Sequence, residues 1–147
     1  MITLPTLFRA SLLATTIAFA GCSMMPMTSG ESRYGATLSG AAEVPVNNSP
    51  GTGSVEATLD KSTRELRWRF NYAGLSGPAT AAHFHGPAAA GTNAGVAVPV
   101  PNVASPGEGQ ATLTPEQAAD LLAGKWYFNV HTAANPGGEL RGQMTAR

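Results

Sequence analysis

Three histidines are the only imidazoles in the 147-residue chain, and two of them stand two residues apart in Ala81-Ala82-His83-Phe84-His85-Gly86-Pro87. The third, His131, lies in Tyr127-Phe128-Asn129-Val130-His131-Thr132. In an extended strand alternate side chains share a face, so His83 and His85 point one way and Phe84 the other. The same count puts Trp126, Phe128 and Val130 on one face, with Tyr127, Asn129 and His131 opposite. In both segments the histidines leave the apolar side. If the two strands are neighbours in one sheet, all three imidazoles meet on its polar face. A two-residue spacing plus a distant third suits a copper or zinc ligand set with an open position. The plainer alternative is a half-exposed polar strand whose histidines only form hydrogen bonds.

Residues sharing those faces could support such a site. Tyr127 and Asn129 lie on the His131 side, where either could fix an imidazole tautomer by hydrogen bonding. Glu139 and Arg141 sit two apart on the last strand. If that strand pairs with the one bearing His131, Glu139 could orient a histidine; otherwise Glu139 and Arg141 form a surface ion pair of little energetic weight.

The elements that must position these groups are short. Eleven prolines, seventeen glycines and only 12% charged residues indicate strands joined by many turns, in a chain long enough for one domain. Alternation predicts strands over Ala36–Ala42, then Glu43-Val44-Pro45-Val46 at an edge or strand end, and Val55 to Leu59. A polar turn over 60–63 leads into Leu66, Trp68, Phe70 and Tyr72, which alternate with Arg67, Arg69 and Asn71 as the solvated side of a hairpin. Thr80–His85, Val96–Val100, Gln110–Leu113 and Lys125–Thr132 follow. In the last strand Leu140, Gly142, Met144 and Ala146 alternate with Arg141, Gln143 and Thr145. One helix is marked near 115–123: Thr114 as N-cap, Pro115 at the first position, Gln117 closing a capping box, and Gly124 ending it. Ala118, Leu121 and Leu122 give it an apolar side, which fits a lid over an open sheet edge. The pattern is all-β, an antiparallel β-sandwich or barrel of the Ig-like or Greek-key type.

The N-terminus is read apart from the fold. Residues 1–21 carry one positive charge at Arg9 and an apolar run too short to span a bilayer, ending in small residues before Cys22, the only cysteine. That resembles a bacterial lipoprotein signal, in which the cysteine is lipidated and becomes the first mature residue. The alternative is an ordinary secretory peptide with a leftover thiol. Residues 22–35, with Met24, Met25, Met27 and Pro26, read as a flexible linker, leaving 36–147 as the domain. Export and a lipid on Cys22 would place the protein on a membrane facing the periplasm or the cell surface.

Several blocks, in order, carry a family resemblance: His83-Phe84-His85-Gly86-Pro87, Leu121-Leu122-Ala123-Gly124, Tyr127-Phe128-Asn129-Val130-His131-Thr132, and Asn135-Pro136-Gly137-Gly138-Glu139-Leu140-Arg141-Gly142-Gln143. Together they resemble the CHRD domain, first named from chordin and common in exported bacterial proteins. The likeness runs from about Ala36 to Arg147. It implies an all-β fold and says less about activity. The alternating histidines are also similar to the copper strand of Cu/Zn superoxide dismutases, which use a larger histidine set and an aspartate for two metals.

Zero net charge gives no footprint for nucleic acid. A G-x-S-x-G elbow, a phosphate-cradling glycine loop and a cysteine nucleophile in the domain are all missing from the sequence. Three readings stay open: a tethered lipoprotein binding one copper or zinc ion, a copper-dependent superoxide dismutase, and a structural or protein-interaction domain whose partner the sequence does not name.

Overall fold

The computed structural model describes residues 30–147, so the expected signal segment, Cys22 and the methionine-rich stretch lie outside the described residues. Nine strands form one antiparallel sheet: β1 (Glu31–Ser39), β2 (Thr52–Asp60), β3 (Glu65–Ala73), β4 (Ala79–His85), β5 (Val96–Pro99), β6 (Gly107–Thr112), β7 (Tyr127–Thr132), β8 (Leu140–Gln143) and β9 (Thr145–Ala146). The spatial order is β5-β4-β7-β8-β1-β2-β3-β6, with β9 added beside β1. The sheet curls into a nearly closed barrel, because strands far apart in that order touch through its interior. Trp68 of β3 meets Phe84 of β4 edge-on at 5.3 Å, and Phe70 of β3 meets Phe128 of β7 at 5.4 Å.

The hairpin of β2 and β3 shows how alternation builds this core. Val55 pairs with Phe70, Ala57 with Trp68 and Leu59 with Leu66, and all six are buried. Arg67 and Arg69 are exposed and pair with the half-buried Glu65 and Glu56, as the solvated side of the hairpin should.

β5 and β6 are the two ends of the sheet, and α1 (Pro115–Leu122) joins them. It continues the chain from β6, and its Gln117 Nε2 donates to the Ala97 carbonyl on β5 at 2.9 Å. The same Gln117 closes the capping box with Thr114, at 2.9 and 3.2 Å. A lid on an open edge is what the sequence led us to expect. Ala118 and Leu121 enter the core, but Leu122 is 48% exposed, so the apolar side is narrower than counted.

Several boundaries differ from the sequence reading: residues 43–46 form no strand, and β6 begins at Gly107, inside the expected turn. β1 starts at Glu31, within the segment expected to be linker, because β2 pairs it residue for residue from Asp60 back to Thr52. It also ends early: Gly40–Ala42 form a 3₁₀ turn, in which the Gly40 carbonyl accepts from both Glu43 N and Asn47 N at 3.1 Å. The last strand is broken at Met144, whose side chain is buried and whose N–H donates to the Trp126 carbonyl at 2.8 Å.

Phe84 stands where β3, β4 and β7 converge, against Trp68, Trp126 and Phe128. We expect Phe84→Ala to lower the unfolding free energy by about 3–5 kcal/mol, measured by denaturant titration. A loss below about 1 kcal/mol would mean that this ring does not organise the core.

Candidate metal centre

The pairing of β4 with β7 builds the site. Ala81 stands opposite His131, His83 opposite Asn129 and His85 opposite Tyr127. Phe84, Phe128 and Val130 are thereby turned into the barrel. The three histidines, Tyr127 and Asn129 are left together on its outer face. His85 and His131 are each only 8% exposed, because the loops after β4 and β7 fold over them, while His83 remains half-buried. The convergence expected from pleat parity is therefore present.

The donor atoms of His83, His85 and His131 lie within 4.8 Å of one another. His83 Nδ1 is 3.1 Å from His131 Nε2. His85 Nδ1 lies 3.0 Å from the Ala94 carbonyl and His131 Nδ1 lies 3.0 Å from the Pro136 carbonyl. A carbonyl can only accept, so both Nδ1 atoms carry the proton and both Nε2 atoms present a lone pair. These lone pairs converge on Asn129, whose Oδ1 is 2.9 Å from each. Donors bound to one ion at about 2.0–2.1 Å can stand at most about 4.2 Å apart. The widest pair must therefore draw in, by about 1.5 Å for a tetrahedral site, and His83, the least enclosed ring, has room to turn.

Burial lowers the pKa of His83, and the neighbouring His131 and His85 lower it further. Burial also lowers that of His85, against the raising effect of the Ala94 carbonyl and Asn129. Both rings are neutral at pH 7, the form that binds a metal.

Tyr127 and Arg141 act on the site through a loop. Tyr127 stacks on the His85 ring at 4.7 Å, nearly parallel, and its hydroxyl accepts from Ala94 N at 3.2 Å. The Arg141 guanidinium sits 3.5 Å from the Tyr127 ring centre and donates to Asn93 Oδ1 at 2.8 Å and the Thr92 carbonyl at 2.6 Å. Together they fix the segment that supplies the Ala94 carbonyl to His85.

Glu139 does something other than expected. It neither orients a histidine nor pairs with Arg141. Its carboxylate accepts from Ser49 Oγ at 2.7 Å, Ser76 N at 2.8 Å, and Ser76 Oγ and Thr132 Oγ1 at 2.6 Å. β8 begins only at Leu140, and Glu139 is still leaving a turn in which Gly138 has φ +133°, which directs the carboxylate away from the imidazoles. Burial alone would raise its pKa; the hydroxyls of Ser76, Thr132 and Ser49 and the Ser76 N–H overcome this and lower it to about 2.

One residue of the cluster escaped the sequence reading. Glu43, 3% exposed, lies beside the Asn129 amide: a side chain at Gly138 would meet both the Glu43 carboxylate and Asn129 Nδ2. Burial raises its pKa, opposed by the Val44 N–H, Arg141 and Asn129. Its Oε1 is buried with no hydrogen-bond partner of good geometry among the described residues. The only signal in the sequence was a lone carboxylate between Ala42 and Val44-Pro45.

Comparison with known proteins gives one match: the family model described as CHRD domain covers residues 34–144. No curated protein matches, and no solved structure matches.

Because the Glu139 pKa is depressed in the folded state, its contribution to stability is present above the unfolded value, about 4.3, and is lost as pH falls toward 2. We expect melting temperature to drop through that window in the parent chain. Glu139→Gln should flatten the drop and cost about 1–3 kcal/mol at pH 7. Parallel pH profiles for the two proteins would refute this account.

Proposed function

The chain belongs to the CHRD domain family, and from that premise we propose that it is an exported, membrane-tethered lipoprotein that binds one copper or zinc ion through His83, His85 and His131. The observation that carries the metal reading is the pair of backbone carbonyls, Ala94 and Pro136, that hold the protons of His85 and His131 on Nδ1. Both Nε2 atoms are thereby fixed on the side of Asn129, 2.9 Å from its Oδ1, with His83 Nδ1 3.1 Å from His131 Nε2. Metal-binding histidines are oriented in this way by an acceptor on the other ring nitrogen. Three imidazole nitrogens with His83 half-buried leave a position for a further ligand, which suits storage, delivery or sequestration of an ion. Tethering rests on the small-residue approach to Cys22 in the sequence.

A second reading is favoured by one contact. Asn129 spans His85 and His131; with its amide turned so that Nδ2 donates to both Nε2 atoms, the cluster is a hydrogen-bonded scaffold that stiffens β7 without an ion.

Elemental analysis after loading with Zn(II) or Cu(II) separates the two. We expect one ion per chain, lost in His131→Ala, and stabilisation of about 2.7 kcal/mol when free metal is a hundredfold above Kd. Negligible metal content after loading would eliminate the metal reading. The scaffold reading expects His131→Ala to lower the melting temperature equally in chelator and in metal.

Mass spectrometry of the membrane fraction tests the anchor. The mature chain should begin at a diacylated Cys22, and Cys22→Ser should leave the precursor uncut. An unmodified thiol on the mature chain would count against lipidation.

A further inference from the structure

We infer that Asn129 Oδ1 is a fourth donor of this centre, oriented by the buried Glu43 carboxylate, and that the resulting three-nitrogen, one-oxygen set selects a divalent ion, Cu(II) or Zn(II), over Cu(I); this rests on the metal reading above. The argument begins with a proton count. His85 and His131 have spent their Nδ1 protons on the Ala94 and Pro136 carbonyls. The neutral His83 has one proton, and from Nδ1 it can serve only His131 Nε2, 3.1 Å away. His85 Nε2 and Asn129 Oδ1, 2.9 Å apart, are then two acceptors with no proton between them. A cation removes that conflict.

Turning the amide over would also remove it, since Nδ2 could donate to the rings. Glu43 opposes this. The reversed amide would aim Oδ1 at a buried carboxylate whose Oε1 already lacks a partner, adding a contact between two acceptors away from water. With Nδ2 toward Glu43, which it adjoins beside Gly138, Oδ1 is committed to the imidazoles.

Distances and charge agree with ligation. In a tetrahedral site with bonds of about 2.0–2.1 Å, donors stand about 3.3 Å apart. Three of the six donor–donor distances here, 2.9, 2.9 and 3.1 Å, stand close to that value, while the three nitrogens, spread over up to 4.8 Å, draw together around the ion. Three imidazoles and an amide bring no charge, so a dication enclosed by them gains from a nearby anion. Glu43 is the buried carboxylate adjoining the amide. An amide oxygen is a hard donor, and the cluster contains no thiolate or thioether, which are the ligands that favour Cu(I).

The test compares Cu(II) and Cu(I) affinity, by chelator competition, for the parent chain, Asn129→Leu, Asn129→Asp and Glu43→Gln. We expect Asn129→Leu to weaken Cu(II) binding by about 10- to 100-fold while Cu(I) affinity stays within about twofold, as expected if the soft ion ignores the oxygen. Asn129→Asp keeps an oxygen in place and should bind Cu(II) at least as tightly as the parent. Glu43→Gln should weaken Cu(II) binding by about tenfold through lost charge and amide orientation.

Equal losses for both ions in Asn129→Leu, or no loss, would overturn the fourth-donor assignment and leave the three-histidine site standing. If Asn129→Leu does not fold, a fall in Cu(II) affinity for Asn129→Asp overturns it instead. A parent chain that binds neither ion removes the metal reading together with this one.

Discussion

The antiparallel pairing of β4 with β7 is the constraint on which the rest depends. Its register decides two things at once. With His83 opposite Asn129, Phe84 and Phe128 fall inside the barrel and the imidazoles fall outside. A slip of one residue would invert every side chain of the slipped strand, removing an aromatic pair from the core and sending histidines into it. The aromatic interior thus holds the register in which the outer cluster exists. Stability of the fold and geometry of the centre are one energetic problem.

Much of this was legible because alternation is a strong signal where one face is apolar. Val55, Ala57 and Leu59 against Leu66, Trp68 and Phe70 gave the hairpin, and the capping box of Thr114 and Gln117 gave the helix. The three histidines fell on the correct face for the same reason. What escaped lay where alternation carries no information. The start of β1, Glu31-Ser32-Arg33, is polar and becomes a strand only because β2 is there to pair with it. Glu139 obeys the parity of Arg141 on paper, but its backbone is still inside a turn, and three hydroxyls claim its carboxylate. Glu43 is brought to Asn129 by a turn and a loop, a contact between residues 86 positions apart that no local pattern encodes. The carbonyls of Ala94 and Pro136, which set the tautomers, have no side-chain signature at all.

The outer cluster shows how a nearly uncharged chain can carry a polar site. Three of its buried polar groups are answered by neighbours: Arg141 by the Asn93 and Thr92 oxygens and the Tyr127 ring, Glu139 by three hydroxyls and a backbone N–H, and His85 Nδ1 by the Ala94 carbonyl. Few of these contacts are ion pairs. Specific geometry is obtained through hydrogen bonds to fixed backbone groups, and the exposed pairs such as Arg69 with Glu56 contribute little to it.

The unequal enclosure of the three rings carries a kinetic consequence. His85 and His131 are clamped by the loops above them, whereas His83 is half-open and makes no bond to a backbone carbonyl among the described residues. For any ion held there, His83 is the ligand that can detach first without disturbing the barrel. Transfer to or from another molecule would then proceed by substitution at that one arm, with the other two nitrogens retaining the cargo until the acceptor has taken hold.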